Sequence, residues 1–383
     1  MDGQSMNCGK RSVKSGSRRR KNGERVTAVF LAGCILFSLA GCGMGGTATV
    51  PAGDEAGAEI VPAGSETAGT QEEQRTDENA GESAVPDAAE DITDAIPLHI
   101  IDDNYRTYYE VFVYSFYDSD GDGIGDLQGL ISQLDYINDG DDATDTDLGC
   151  NGIWLMPIGP SPTYHKYDVT DYCDIDAAYG TLADFKELLA ECEKRGIKVI
   201  MDLVLNHSSS QNPWFQDACA YLRELGDGEP DAAECPTFEY YHFSKEQGAG
   251  CYAVEGTDWY YEAQFWSEMP DFNLDSEALR AEIEEIAKYW LDMGVGGFRL
   301  DAVKEFYTGN PEKNIEFLGW FADVVKTQKA DAYLVGEAWL EISDYAKYYE
   351  SGIDSLFNFA FADKDGIISK VVNGSPASRY GLE

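Results

Sequence analysis

Histidine is scarce in this chain, with four in 383 residues, and basic charge is outnumbered: 28 Lys and Arg stand against 70 Asp and Glu. The net charge of −42 excludes a nucleic-acid binder, because nothing offsets repulsion from phosphates. Neither H-E-x-x-H nor C-x-x-C occurs, which leaves a zinc centre without ligands. Long apolar runs are lacking too. "VTAVFLAGCILFSLA", from Val26 to Ala40, is about 15 residues and too short for a comfortable transmembrane helix.

What is present begins with a basic cluster (Lys10, Arg11, Lys14, Arg18, Arg19, Arg20, Lys21 and Arg25) just before that run. Basic residues followed by a short apolar core form a secretory signal. The run closes on "LAGC" (Leu39 to Cys42), which resembles a bacterial lipobox. The expectation is a signal peptide over 1–41 and membrane attachment through a lipidated Cys42. An uncleaved anchor is the alternative, and both readings put the rest of the chain outside the cytoplasm, at the cell surface. Residues 42–97 hold almost no large apolar side chain, and 13 acidic residues there face one base, Arg75. Such a segment cannot bury a core and reads as a disordered acidic tether. Cys150, Cys173, Cys192, Cys219, Cys235 and Cys251 lie beyond it. An exported even set permits disulfides in any of 15 pairings, and free thiols suit the same sequence.

From residue 98 onward strands and helices alternate. "YYEVFVYSF" (Tyr108 to Phe116) reads as β-rich, and "LQGLISQLDYI" (Leu127 to Ile137) has helical spacing. "NGIWLMP" and "IKVIMDLVL" are buried-strand runs. Between them "TLADFKELLAECEKRG" opens on Thr181 as N-cap and closes on Gly196. "EIEEIAKYWLDMG", "GGFRLD", "NIEFLGWFADVVKTQ", "AYLVGE" and "IDSLFNFA" continue the alternation, which indicates a parallel α/β sheet. The interval 207–273 breaks the rhythm and is too long for a loop, so it reads as an inserted subdomain between 98–206 and 274–383.

In parallel α/β folds function gathers where strands end. "MDLVLNH" ends on His207, "GGFRLD" on Asp301 and "YLVGE" on Glu337. Three successive strands thus carry an imidazole and two carboxylates to one rim. Arg299 lies two residues before Asp301, on the same face of an extended chain, where its charge favours an ionised partner.

These segments resemble the α-amylase family of glycoside hydrolases. "DLVLNH", "GFRLDAVK" and "VGEAW" are similar to its first three signature segments. "MPDFNLDS" is similar to the close of its inserted domain, and "GIWLMPIGPSPTYHKYDVTDY" to its second strand and following loop. The resemblance implies a (β/α)8 TIM barrel with an insertion after strand 3, acting on an α-glucan or maltooligosaccharide. It implies Asp301 as nucleophile, Glu337 as general acid/base, and Arg299, His207, Tyr167, Asp168, His165 and Lys304 as substrate-binding residues. Where the family's lysine is followed by histidine this chain has Glu305, which weakens transfer of a calcium site at Asn206. No N-H-D segment, the family's carrier of a third carboxylate, precedes Glu383, so the expected barrel stops after about six strands. An α-glucosidase or transglycosylase of the same family, and a non-catalytic glucan-binding lipoprotein, remain open.

"DSDGDGIGD" (Asp118 to Asp126) spaces oxygen donors as a calcium loop does. Asp118, Asp120, Asp122 and Asp126 supply carboxylates, and Ile124 supplies a carbonyl. The bidentate Glu of an EF-hand is absent, since that place is Gly129. Ca2+ is the expected ion.

Overall fold

The computed structural model describes residues 102–364 and 366–372, all within one compact unit. The signal, Cys42 and the tether lie outside the described residues. No helix among the described residues is long and apolar enough to cross a membrane.

Six strands form one parallel sheet. β1 (Tyr108–Val111) pairs with β2 (Gly152–Leu155), which pairs with β3 (Lys198–Leu203). A three-stranded antiparallel sheet of β4 (Phe243–Ser244), β5 (Cys251–Ala253) and β6 (Tyr260–Glu262) is spliced in at this point. The large sheet resumes with β7 (Gly297–Leu300) beside β3, then β8 (Tyr333–Gly336) and β9 (Ser355–Leu356). The order β1-β2-β3-β7-β8-β9 is that of a (β/α)8 barrel opened along one side, with an insertion after its third strand.

Local chemistry sets the helices between strands. α1 (Val113–Phe116), α2 (Leu127–Ser132) and α3 (Leu134–Ile137) follow β1. α4 (Leu182–Lys194) begins in a reciprocal capping box between Thr181 and Asp184. α5 (Pro213–Leu225) starts on proline behind an Asn212 cap. α6 (Glu277–Met293) runs from a Ser276 cap to left-handed Gly294, and α7 (Pro311–Gln328) lies between β7 and β8. Short helices α8 (Ile342–Tyr348), α9 (Phe359–Ala362) and α10 (Ile367–Val372) complete the described chain.

Phe298, Leu300 and Leu334 face the helices and are fully buried, as alternation on a pleated sheet requires. The opposite face carries Ile200, Tyr333 and Val335, with Tyr108, Trp154 and Phe357 packed against them inside the barrel. Gly297 permits the β7–β8 pairing. A Cβ there would stand 2.0 Å from the Tyr333 carbonyl oxygen, at φ 148°.

Three elements differ from the sequence pattern. Val113–Phe116 is helical although β-rich in composition, because the chain turns at Phe112 and the 118–126 loop bonds back on it, Gly125 N donating to Tyr114 O at 2.7 Å. The helix expected over Leu127–Ile137 is two, interrupted at Gln133. The 207–273 interval contains a 13-residue helix, α5, whose Phe215, Ala218, Cys219 and Leu222 face the core. Cys150, Cys192, Cys219, Cys235 and Cys251 are free thiols.

Candidate active site

β3, β7 and β8 end side by side, and carboxyls at or just past their ends meet around one guanidinium. Arg299 is 4% exposed on β7, in register with Asp202 on β3. Its Nη1 donates to both Asp202 carboxylate oxygens at 3.0 Å and to Asp301 Oδ1 at 2.7 Å. Its Nη2 donates to Glu337 Oε2 at 2.7 Å. The rings of Trp154, Tyr167 and Phe357 surround the guanidinium, with centroids 5.1 to 5.8 Å away. One cation thus holds three carboxyls in a low-dielectric pocket, where charge interactions are strongest.

The carboxyls are not equivalent. Burial, with help from neighbouring Asp301, raises the Glu337 pKa above the ordinary range, against the pull of Arg299. Burial likewise pushes Asp202 up to about 7, with Arg299 opposing and Asp301 assisting. Ala302, directly after Asp301, has φ 46°, a strained value for a residue with a Cβ. That turn aims its amide at Glu337, donating to Oε2 at 3.3 Å. Trp339 is 54% exposed and serves as a donor, its Nε1 lying 3.3 Å from Glu337 Oε1.

A cleft of about 510 Å³ opens above this cluster. It is lined by His165, Tyr167, His207, Phe265, Met269, Arg299, Asp301, Ala302, Lys304, Glu305, Glu337 and Trp339. His207 is 2% exposed, and burial pushes its imidazole down to about 4, so the ring is neutral at pH 7. Among the described residues its Nε2 has no hydrogen-bond partner, and its ring packs on Phe265 at 5.4 Å. Tyr167 reaches down with its hydroxyl to Asp202 at 3.2 Å, and its amide donates to His165 Nδ1 at 3.2 Å. Lys166 between them takes φ 61°, which turns both rings to the same side, while its ammonium pairs with Asp176 at 2.6 Å.

Seven of the eight site residues read from the sequence therefore surround one cleft. Asp168 is the exception. It is fully buried behind the wall, where Oδ1 accepts from Ser161 and Thr163 hydroxyls and Oδ2 has no partner among the described residues. Asp202 escaped notice, although a lone carboxylate inside the apolar run "KVIMDLVL" needs a buried partner. Asp271, pushed up to about 7 by burial, was also missed. So were Phe265 and Met269, which come from the inserted segment.

In the acidic loop, carboxylate oxygens of Asp118, Asp120 and Asp126 lie within 4.8 Å of one another. Gly123 and Gly121 amides donate to Asp118 and hold its carboxyl below the usual range. Asp122, outside this trio, accepts from Ile124 N at 2.8 Å. An all-oxygen donor set of this kind fits a hard cation such as Ca2+.

Comparison with known proteins finds relatives of this chain. The model of the α-amylase catalytic domain aligns with residues 110–375. Alpha-amylase 3 of Dictyoglomus thermophilum is 44% identical over 269 residues, 70% of this chain and 49% of that protein. Among solved structures, Eubacterium rectale Amy13B is 54% identical with a TM-score of 0.67, over 76% of this chain and 55% of that one. Trehalose-6-phosphate hydrolase of Bacillus licheniformis is 33% identical with a TM-score of 0.58, over 66% and 48%. The chain spans about half the length of these relatives. With the barrel order, the guanidinium-bound carboxyls and this match over most of its length, the chain belongs to the α-amylase family of glycoside hydrolases.

Proposed function

We propose that the protein hydrolyses α-1,4-glucosidic bonds of starch-like glucans or maltooligosaccharides with retention of configuration. The observation that carries this reading is the pair Asp301 and Glu337, held on one guanidinium at 2.7 Å each beneath a cleft of sugar-binding size. Asp301, paired with Arg299 and set under the sugar, attacks C1 as the glycosidic bond breaks. Glu337, whose carboxyl pKa burial raises, gives its proton to the departing oxygen. A water then enters, Glu337 removes its proton, and the hydroxide displaces Asp301 from C1, restoring both carboxyls. Tyr167 offers a ring face to the sugar, and the free Nε2 of neutral His207 offers it a hydrogen bond.

The relatives' names divide between amylases, oligo-1,6-glucosidases and a trehalose-6-phosphate hydrolase. The higher identity to the amylases supports the α-1,4 choice. Reducing-sugar release by the protein decides it. Soluble starch is expected to be cleaved well and isomaltose poorly, and the reverse order overturns the bond assignment.

Two further parts of the reading have their own tests. We place Ca2+ on Asp118, Asp120 and Asp126, where it ties the loop after β1 to the start of α2. Because only the folded loop gathers these oxygens, EGTA is expected to lower the melting temperature by on the order of 5–10 °C. A melting curve unmoved by EGTA, with no calcium on elemental analysis, removes the site. We also place the protein at the cell surface on a lipidated Cys42, consistent with a polymer too large to import. Cys42→Ser is expected to move it from the membrane to the soluble fraction on ultracentrifugation, and unchanged membrane partition counts against the anchor.

A further inference from the structure

Glu305, directly after Lys304, stands in the cleft wall. Its side chain is 24% exposed, partly withdrawn from water. Oε1 lies 3.6 Å from Lys304 Nζ, and Oε2 accepts from the Thr308 hydroxyl at 2.9 Å. Thr308 in turn bonds Gln264 of the inserted segment, so the carboxylate is fixed where barrel and insertion meet. Lys304 Nζ also donates to the Trp339 carbonyl at 3.2 Å. Lys304, Glu305 and exposed Trp339 thus line the cleft together, and the Trp339 indole reaches Glu337.

We propose that Glu305 is a specificity-determining residue of the leaving-group side, accepting hydroxyls of an uncharged departing sugar and repelling an anionic one. The inference rests on the hydrolytic reading above, which makes Glu337 the proton donor and its wall the leaving-group wall. Charge on the lining decides the argument. Among the described residues the lining holds two permanent cations, and both are engaged: Arg299 by Asp202, Asp301 and Glu337, and Lys304 by Glu305 and the Trp339 carbonyl. His207 is neutral. A phosphate on the leaving sugar would find no unpaired cation and would have to displace Glu305 from Lys304. A neutral sugar keeps the pair and uses both partners, its hydroxyls donating to the carboxylate and accepting from the ammonium. Like charges set close together in a partly desolvated cleft discriminate strongly, and salt screens the effect.

The test compares maltose with maltose phosphorylated on O6 of its reducing-end glucose. For the wild-type protein kcat/KM on the phosphorylated sugar is expected to be lower by roughly a hundred-fold. Glu305→Gln is expected to narrow that ratio about ten-fold, chiefly through KM, and added salt is expected to narrow it in the wild type. Glu305→Asp should restore discrimination. An unchanged ratio in Glu305→Gln, or equal losses on both sugars, assigns Glu305 to holding the Thr308 turn and overturns the inference. If neither sugar is cleaved, the hydrolytic reading fails instead. Titration calorimetry with glucose and glucose 6-phosphate on the same two proteins then decides the inference, which falls if both proteins bind the two sugars alike.

Discussion

Glu337→Gln is expected to lower kcat on starch by on the order of 10³-fold, and Asp301→Asn by about 10⁴-fold or more. The two losses differ in kind. Glutamine keeps the hydrogen bond to Arg299 but has no proton to give, so the penalty follows how much the leaving oxygen needs one. An aryl α-glucoside with an acidic phenol departs unaided, and glycosylation by Glu337→Gln should then be nearly wild type in rate. Asp301→Asn should be as poor on that substrate as on starch, because no anion remains to attack C1. Equal losses in Glu337→Gln on both substrates would show that Glu337 is not the proton donor. The pH profile carries the same assignment. Burial raises the Glu337 pKa, so the donor form persists above the ordinary carboxyl range and the alkaline limb of kcat/KM falls there in the wild type. That limb should be missing from the residual activity of Glu337→Gln.

Much of this molecule is legible in its sequence, and the reasons are local. Strand ends announce themselves where an apolar run stops on a carboxylate or imidazole, as at His207, Asp301 and Glu337. Helices α4, α6 and α7 carry both an apolar stripe and a cap. The illegible parts depend on contacts between distant residues. Val113–Phe116 has strand composition, yet the loop that follows folds back on it and makes it helical. Asp202 looks like a blemish in an apolar strand until Arg299 is placed opposite it by sheet register. Asp168, adjacent in sequence to Tyr167, is buried behind the wall, where the Ser161 and Thr163 hydroxyls donate to it. Trp339 reads as an apolar neighbour of Glu337, but its exposed indole contributes a donor. Phe265 and Met269 reach the cleft from an insertion whose short strands carry little periodicity.

Arg299→Met is expected to cost about 3–5 kcal/mol of stability at neutral pH and to abolish activity. Methionine fills much of the same space among Trp154, Tyr167 and Phe357, so the loss measures charge more than packing. Without the guanidinium, Asp202, Asp301 and Glu337 face one another with no compensating cation. The pH dependence separates this from a packing defect. In the wild type Asp202 is already raised to about 7, above its unfolded value near 4. A carboxyl raised on folding stabilises fully below its unfolded pKa, and that contribution is lost as pH climbs through the folded value. Removing the one opposite charge raises Asp202 and Glu337 further. The stability gap between Arg299→Met and wild type should therefore be small near pH 4, where these groups are protonated in both, and widen steadily to pH 8. Urea unfolding at pH 4, 6 and 8 measures the gap. A gap of constant size would mean that Arg299 works by shape alone, and the account of three carboxyls governed by one cation would not survive it.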